Sequence, residues 1–438
     1  MSNGSLETGV FRYTGSISAM SAESRVALMR RTKESDAEVR EATANIIRRV
    51  RTEGDSALIE MARDFDGVEL AALEVSRKEI ERAIVAIDPA LRTALERAAR
   101  NIQLVHSASP AVAVEIEPEP GVIVGRRPDP LKRVGAYAPG GRAAYASSVL
   151  MCAVPARAAG VEEIIVCSPP EKNGVPSDVV LAACAIARVD RVFAVGGAGA
   201  IAAMAYGTDT IPVVDKIVGP GNAYVAEAKV QVSRVVGIDS PAGPSELMII
   251  ADNSCNAEGI AAEVLAQAEH DPDACVVVVA LSASVAERIA AAVEDELPLM
   301  LRSRIAGAAL KSNGAILLAR DEAEAIAFAA EYAPEHLLLA VSNASEVAAR
   351  TRNAGCVFIG EESSVVFGDY ISGGNHVLPT AGAARSYSGL GALDFVRWTS
   401  YQCITADAAA GLSADVEIMA TAEGLSAHAA AAGRWRSL

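Results

Sequence analysis

From residue 132 onward the chain alternates short apolar runs with stretches of helical period, and few folds accept that rhythm. Strand-like KRVGAYA precedes a glycine-rich turn and helix-like ASSVLMCAVPARAAG; EEIIVCS, DVVLAACAIARV, RVFAVGG, AIAAMAYG, VDKIVG and NAYVAEAKVQVSRVV continue the series. A second series runs ELMIIAD, a helix over 257–269, ACVVVVAL, helices over 283–311, AILLAR, a helix over 321–332, HLLLAV, a helix over 343–353 and CVFIG. These runs are apolar throughout rather than at every second residue, as expected of parallel strands buried on both faces. Strand–helix repetition of this length implies βαβ units. A chain of 438 residues is also too long for one ordinary core. The expected fold is α/β, with two Rossmann-like doubly wound domains, a helical N-terminal segment and a C-terminal helical tail.

Other segments fill in the frame. Residues 35–106 carry apolar positions at i, i+3 and i+4 and read as helices, and VAVEIEP and GVIVGRR read as strands flanking a Pro-Gly turn. Residues 361–387 are glycine-rich and aperiodic, the mark of a long functional loop. Residues 414–435 read as an alanine-rich helix.

Composition excludes several classes. A net charge of −16, with no Lys/Arg cluster, argues against nucleic acid or an anionic membrane as partner. Small anions stay open, because backbone N–H groups can hold them. The seven cysteines are scattered and never spaced C-x-x-C, which suits reduced thiols in a reducing, cytoplasmic compartment. The opening MSNGSLETGVFRYTG has no basic stretch followed by an apolar one, so no secretion signal is expected. No apolar run reaches the ~18 residues of a membrane span.

Only five histidines occur, so their neighbours are informative. Gln267 and His270 stand three apart at the end of a predicted helix; His336 follows Glu335 in YAPEHLLLA; His376 follows Asp369 in GDYISGGNHVLPT; His428 follows Glu423 in EGLSAH. Each histidine taken alone is more simply a satisfied surface or core residue. Together, glutamine, imidazoles and a carboxylate form a nitrogen/oxygen donor set that suits Zn²⁺ or another divalent ion, although their spacing is not compact. A Glu–His pair at a strand end can share proton transfer near neutral pH, but this one opens its strand, whereas α/β sheets gather ligands at the carboxyl ends.

Three glycine turns follow strands. VGGAGAIAAM sets Gly197-x-Gly199-x-x-Ala202 at a strand-to-helix turn, the pattern of a dinucleotide site, with Asp215 as a loose match to its acidic partner. KIVGPGNAYVAEAK puts Asn222 at a helix N-cap, where N–H groups and the helix dipole favour a phosphate or carboxylate. AYAPGGR is the third. Any one of them is equally an ordinary βα turn.

Taken in order, VGAYAPGGRAAYASSVLM, YGTDTIPVVDKIVGPGNAYVAEAK, DSPAGPSELMIIAD, QAEHDPDA, YAPEHL, GDYISGGNHVLPT and EGLSAH resemble the histidinol dehydrogenase family, over roughly residues 35–433. The resemblance implies a zinc-dependent, NAD-linked enzyme of histidine biosynthesis. It would oxidise a small alcohol, L-histidinol, to L-histidine through the aldehyde, as a homodimer whose C-terminal tails complete each other's sites. Carried onto this chain, the zinc ligands are Gln267, His270, Asp369 and His428, the last from the other subunit. His336 is the general base and Glu335 the residue that activates water for the second step. Ser245, His376 and Glu423 match substrate contacts, alongside the zinc ligands and His336, and Tyr137, Asn222 and position 199 match NAD contacts. The expected division is an arm over 1–29, a zinc and catalytic domain from 30–115 plus 246–387, an NAD-binding domain over 116–245, and a tail over 388–438.

Two departures bear on substrate and cofactor. Gly199 stands where the family commonly has a glutamine that touches the cofactor. GEESSVVFGDY replaces a phrase ending in Pro-Glu and is more like sulfopropanediol dehydrogenases. The alternative is therefore a zinc/NAD dehydrogenase of another small primary alcohol such as 2,3-dihydroxypropane sulfonate, with Arg126, Arg127 or Arg142 as sulfonate partners.

Overall fold

In a computed structural model, which describes residues 9–31, 37–140, 145–241 and 243–437, the two alternating series become two parallel sheets in an α/β fold. The larger has six strands, in the order Tyr13–Ser16, Ala315–Leu318, Cys275–Ala280, Glu246–Ala251, His336–Ala340 and Cys356–Ile359. The smaller has five, in the order Arg191–Ala194, Glu163–Ser168, Arg133–Tyr137, Lys216–Val218 and Gly237–Ile238. Setting aside the Tyr13–Ser16 edge strand, the first strand of each series stands mid-sheet, the next two lie on one side and the last two on the other. The order in which strands are added thus reverses once in each parallel sheet, between Glu246–Ala251 and His336–Ala340 in one and between Arg133–Tyr137 and Lys216–Val218 in the other. Such switch points open crevices between neighbouring loops.

The apolar runs are buried as their composition requires. Every residue of Cys275–Ala280 and of Glu246–Ala251 is buried, and in the second of these strands the sole charged residue is Glu246.

The N-terminal helices Ala37–Glu53, Asp55–Met61, Arg77–Ala86 and Pro89–Ser107 turn Ile47, Val50, Leu58, Leu95 and Ile102 into one core with Val134, Ile164 and Val192 of the five-stranded sheet. The expected division joins residues 30–115 to the 246–387 block, whereas these helices share their core with the five-stranded sheet. An amphipathic stripe shows that a helix is covered on one side, not which sheet covers it.

The predicted hairpin is present as Val114–Glu119 and Val122–Pro130, but outside both parallel sheets. It joins Val396–Ile404 in a three-stranded antiparallel sheet, in which the last strand pairs along Val122–Pro130. The expected helical tail thus begins with a strand. Helices Ala406–Ala422 and Ser426–Gly433 follow, parted at Gly424 with φ +77°. They bury little within their own chain: Ile418 is 67 % exposed and Met419 65 %, and Trp435 in the 3-10 turn that follows is 50 % exposed. The aperiodic stretch 361–387 contains one short helix, Val365–Tyr370, and a 3-10 turn at Ala383–Arg385. Among the described residues no helix is long and apolar enough to cross a membrane.

Candidate active site

Helix Glu322–Tyr332 ends at Ala333, which takes a left-handed φ of 52°. Pro334 then sends the chain into the strand His336–Ala340, leaving Glu335 and His336 at its buried mouth, each 4 % exposed. His336 Nδ1 lies 2.9 Å from the carbonyl oxygen of Glu246. A carbonyl only accepts, so Nδ1 carries the hydrogen and Nε2 is left as the working nitrogen. Nε2 has no hydrogen-bond partner among the described residues, and Asp369 Oδ1 stands 3.5 Å away. Glu335 Oε2 accepts the Glu246 backbone N–H at 2.7 Å and lies 3.5 Å from His336 Nδ1. The Phe358 ring is tilted against the imidazole at 5.9 Å.

Burial opposes charge on His336, but Glu335 and Asp369 outweigh it and raise the imidazole well above its usual pKa. Burial likewise works against ionisation of Asp369. His336, with His376 and His270 further off, overcomes that and holds the carboxyl below its usual range.

Asp369 sits near the end of helix Val365–Tyr370, within electrostatic reach of three histidines. Gln267, in the last turn of helix Ala257–Ala268, is 4 % exposed, and its amide nitrogen has no partner among the described residues. His270, just past that helix, turns Nδ1 to the carbonyls of Ala266 and Gln267 at 3.0 and 3.3 Å. The backbone thereby fixes its tautomer and leaves Nε2 free as a ligand nitrogen. His376 places Nδ1 2.9 Å from the Asp369 carbonyl and Nε2 3.4 Å from Ser148 Oγ; burial keeps its pKa low. Asn375 donates to the Met151 carbonyl at 2.7 Å. Residues 375–376 therefore tie the Asp369 segment to helix Ala146–Ala158, which packs on the other sheet. A cavity of about 370 Å³ opens here, lined by His336, Phe358, Phe367, Asp369, Ser372 and Asn375. Ser245 is partly buried immediately before the strand that carries Glu246.

Glu423 and His428 are not brought to this place. Both are exposed on the tail helices of the same chain. Correspondingly, no three His, Cys, Asp or Glu side chains among the described residues form a metal cage by themselves. Gln267, His270 and Asp369 can supply three hard or borderline donors, which leaves at least one to come from outside. Among the described residues the Gln267 amide is not tied down through its nitrogen and can turn its oxygen, the ligating atom, toward a divalent cation, and His270 Nε2 suits the same ion.

The remaining predicted positions lie on the five-stranded sheet. Tyr137 ends the strand Arg133–Tyr137, and its hydroxyl accepts the Gly197 N–H at 3.0 Å, at the start of helix Gly197–Tyr206. Burial pushes this phenol up to about 12, so it stays neutral. Asn222 caps helix Ala223–Val232, with Oδ1 accepting from Tyr224 and Val225 at 3.1 Å. In the turn before it, Gly219 has φ +114°, and a Cβ there would overlap the Tyr137 carbonyl oxygen. The turn is gripped from behind by a buried ion pair of Lys229 and Asp239. Lys229 Nζ donates to the Gly219 oxygen at 3.1 Å, and Asp239 accepts the Gly219 N–H at 2.8 Å.

Gly199 and Asp215 have structural employment. Gly199 is buried, and a Cβ there would come within 3.2 Å of Leu58 and 3.3 Å of Met61, so it serves close helix packing rather than facing open space. Asp215 accepts the Arg133 N–H at 2.8 Å. Arg126 stacks on Trp398 at 4.7 Å and Arg127 pairs with Asp129 at 3.4 Å, both in the antiparallel sheet; Arg142 lies outside the described residues.

Sequence reasoning passed over Ser148, Phe358 and Glu246. Ser148 and Phe358 carry no signal in sequence. Glu246 does: a lone carboxylate opening an otherwise apolar strand needs a buried partner.

Comparison with known proteins bears on the whole chain. A family model described as histidinol dehydrogenase matches residues 29–436. Histidinol dehydrogenase of Methanosarcina barkeri is 46 % identical over 393 residues, 90 % of each chain, and that of Vibrio cholerae is 44 % identical over 395 residues, again 90 % of each. The crystal structure of histidinol dehydrogenase from Elizabethkingia anophelis superposes with a TM-score of 0.91 at 36 % identity, covering 95 % of this chain and 96 % of that one.

Proposed function

The chain belongs to the histidinol dehydrogenase family, NAD-dependent oxidoreductases acting on an alcohol and then an aldehyde, and from that premise we propose how its residues divide the work. The observation that carries the reading is the cluster of buried Glu335 and His336 with partly buried Asp369, in which His336 Nε2 has no hydrogen-bond partner among the described residues.

In the first oxidation the neutral form of His336, whose Nδ1–H is committed to the Glu246 carbonyl, takes the hydroxyl proton of histidinol at Nε2, and the neighbouring Glu335 and Asp369 carboxylates stabilise the imidazolium so formed. In the second, Glu335 takes a proton from the water that attacks the aldehyde. Its position is set by the Glu246 N–H. NAD, when bound, accepts one hydride in each oxidation. A zinc ion held by Gln267, His270 and Asp369, with His428 delivered by a second copy of the chain, would supply Lewis-acid character and fix the orientation of the substrate. Ser245, His376 and the second copy's Glu423 are proposed as substrate contacts. Tyr137 and Asn222 flank the turns offered to NAD; Gly199 contributes packing behind them. The two parallel sheets are read as two Rossmann-like domains, and the exposed apolar face of the tail supports a homodimer. The unpaired cysteines fit a reducing, cytoplasmic setting.

The sulfonated-diol alternative is not favoured. The relatives named above are histidinol dehydrogenases, and two of the three arginines that raised it, Arg126 and Arg127, are engaged elsewhere.

The test is NADH formation by zinc-loaded protein with L-histidinol or 2,3-dihydroxypropane sulfonate, with and without chelator. Two NADH per histidinol, abolished by chelation, are expected, and His270→Asn should lower the zinc retained after dialysis. Turnover of the sulfonate alone, or zinc retention unchanged in His270→Asn, would overturn the assignment.

A further inference from the structure

Glu246 touches both proposed bases through its backbone: its N–H holds Glu335 and its carbonyl holds His336. Its side chain is in turn fixed from two directions. Oε1 accepts the Ala381 N–H at 2.7 Å and lies 3.0 Å from Arg31 Nε, in a pair whose side chains are 1 % and 4 % exposed. Arg31 reaches further. Its Nη2 donates to the Tyr332 carbonyl at 2.6 Å, and its guanidinium lies over the Tyr332 ring at 3.6 Å. Tyr332 ends the helix that delivers Glu335 and His336. One N-terminal arginine thus grips the strand that orients the two bases and the helix end that presents them.

We propose that the buried Arg31–Glu246 pair is a positioning device for the Glu335–His336 base pair. Packing alone does not call for it, since apolar residues of similar volume fill such a place at equal or lower cost. What an ion pair adds is direction: it joins two segments distant in sequence and fixes the height and tilt of one relative to the other. Neither residue contacts the site cavity, so both act through the groups they hold. The inference rests on the base assignment made above.

The test uses full-length, zinc-loaded Arg31→Lys, Arg31→Ala and Glu246→Gln, with His336→Asn in parallel, and measures kcat and KM for histidinol and NAD per folded enzyme. Glu246→Gln keeps the size and an acceptor for Ala381, and stating kcat per folded enzyme separates lost positioning from lost stability. Displacing reacting groups by about an ångström costs on the order of 100-fold. We expect a kcat loss approaching that in Arg31→Ala and Glu246→Gln, with KM for NAD unchanged. Arg31→Lys should recover part of it, and added guanidinium ion should restore part of kcat in Arg31→Ala alone. Parental kcat in folded Glu246→Gln, or a defect confined to NAD KM, overturns the proposal while a dead His336→Asn leaves the base assignment standing. Full activity in His336→Asn removes the base assignment, and this inference with it.

Discussion

Replacing Lys229 with methionine asks how much the cofactor-side turn depends on the charge beneath it. The Lys229 and Asp239 side chains are 2 % and 7 % exposed, so water screens their attraction poorly. Methionine keeps most of the volume but strands the Asp239 carboxylate, which among the described residues retains only the Gly219 N–H. It also removes the donor to the Gly219 oxygen. Breaking a buried pair from one side costs roughly 3–5 kcal/mol, largely because the remaining charge is uncompensated. Adding Asp239→Asn takes away that charge while keeping an acceptor for Gly219, so the double variant should lose only about 1–2 kcal/mol, the scale of a missing hydrogen bond. Urea denaturation of the single and double variants measures both figures, and KM for NAD reports on the turn itself. A loss below about 1 kcal/mol in Lys229→Met would refute the desolvation argument. So would a double variant as unstable as the sum of the two single ones, because a coupled pair is not additive.

Gly199→Gln introduces the family's common residue into a position packed against Leu58 and Met61. Overpacking of this kind costs about 1–3 kcal/mol; a melting temperature at or above the parent's, with a lower KM for NAD, would show that the pocket accepts the side chain. Burial pushes Glu246 up to about 7 from an ordinary 4.5, among Arg31, Glu335, Tyr332 and Cys275, so its ion pair with Arg31 is complete only above that pH, and the Arg31 and Glu246 variants are to be assayed there. Between those pH values the folded chain keeps a proton that the unfolded chain has released, so stability falls as pH rises through the window, by up to about 3 kcal/mol, and then levels off. Metal-free Glu246→Gln should lack that fall when unfolding is compared at pH 5 and 7.5; an unchanged slope would assign it to another group.

The parallel sheets were legible because strands buried on both faces have little choice of composition. Strand order was not, since apolar runs such as CVVVVA and HLLLA do not name their neighbours. Val365–Tyr370, which carries Asp369, leaves no helical signature in the sequence because six residues are too few to display a helical period. Val396–Ile404 pairs in the antiparallel sheet, yet it was absorbed into the tail because no turn signal joins it to its distant partner. Within the site, Gln267, His270, Glu335, His336 and Asp369 were named through family phrases; spacing alone left them open. Arg31 could not be found that way, as it lies on the opposite side of the chain order from the strand it supports.

The tail leaves Glu423 and His428 exposed on helices whose apolar face is uncovered by their own chain. If those residues serve a neighbouring copy, each site is assembled from the body of one chain and the end of another. A lesion in a body, such as His336→Asn, and a lesion in a tail, such as His428→Ala, then fall together in one site of a mixed dimer and spare the other. Two sequences that are each inactive alone would together encode working enzyme, so the unit on which damage is scored is the pair and not the polypeptide.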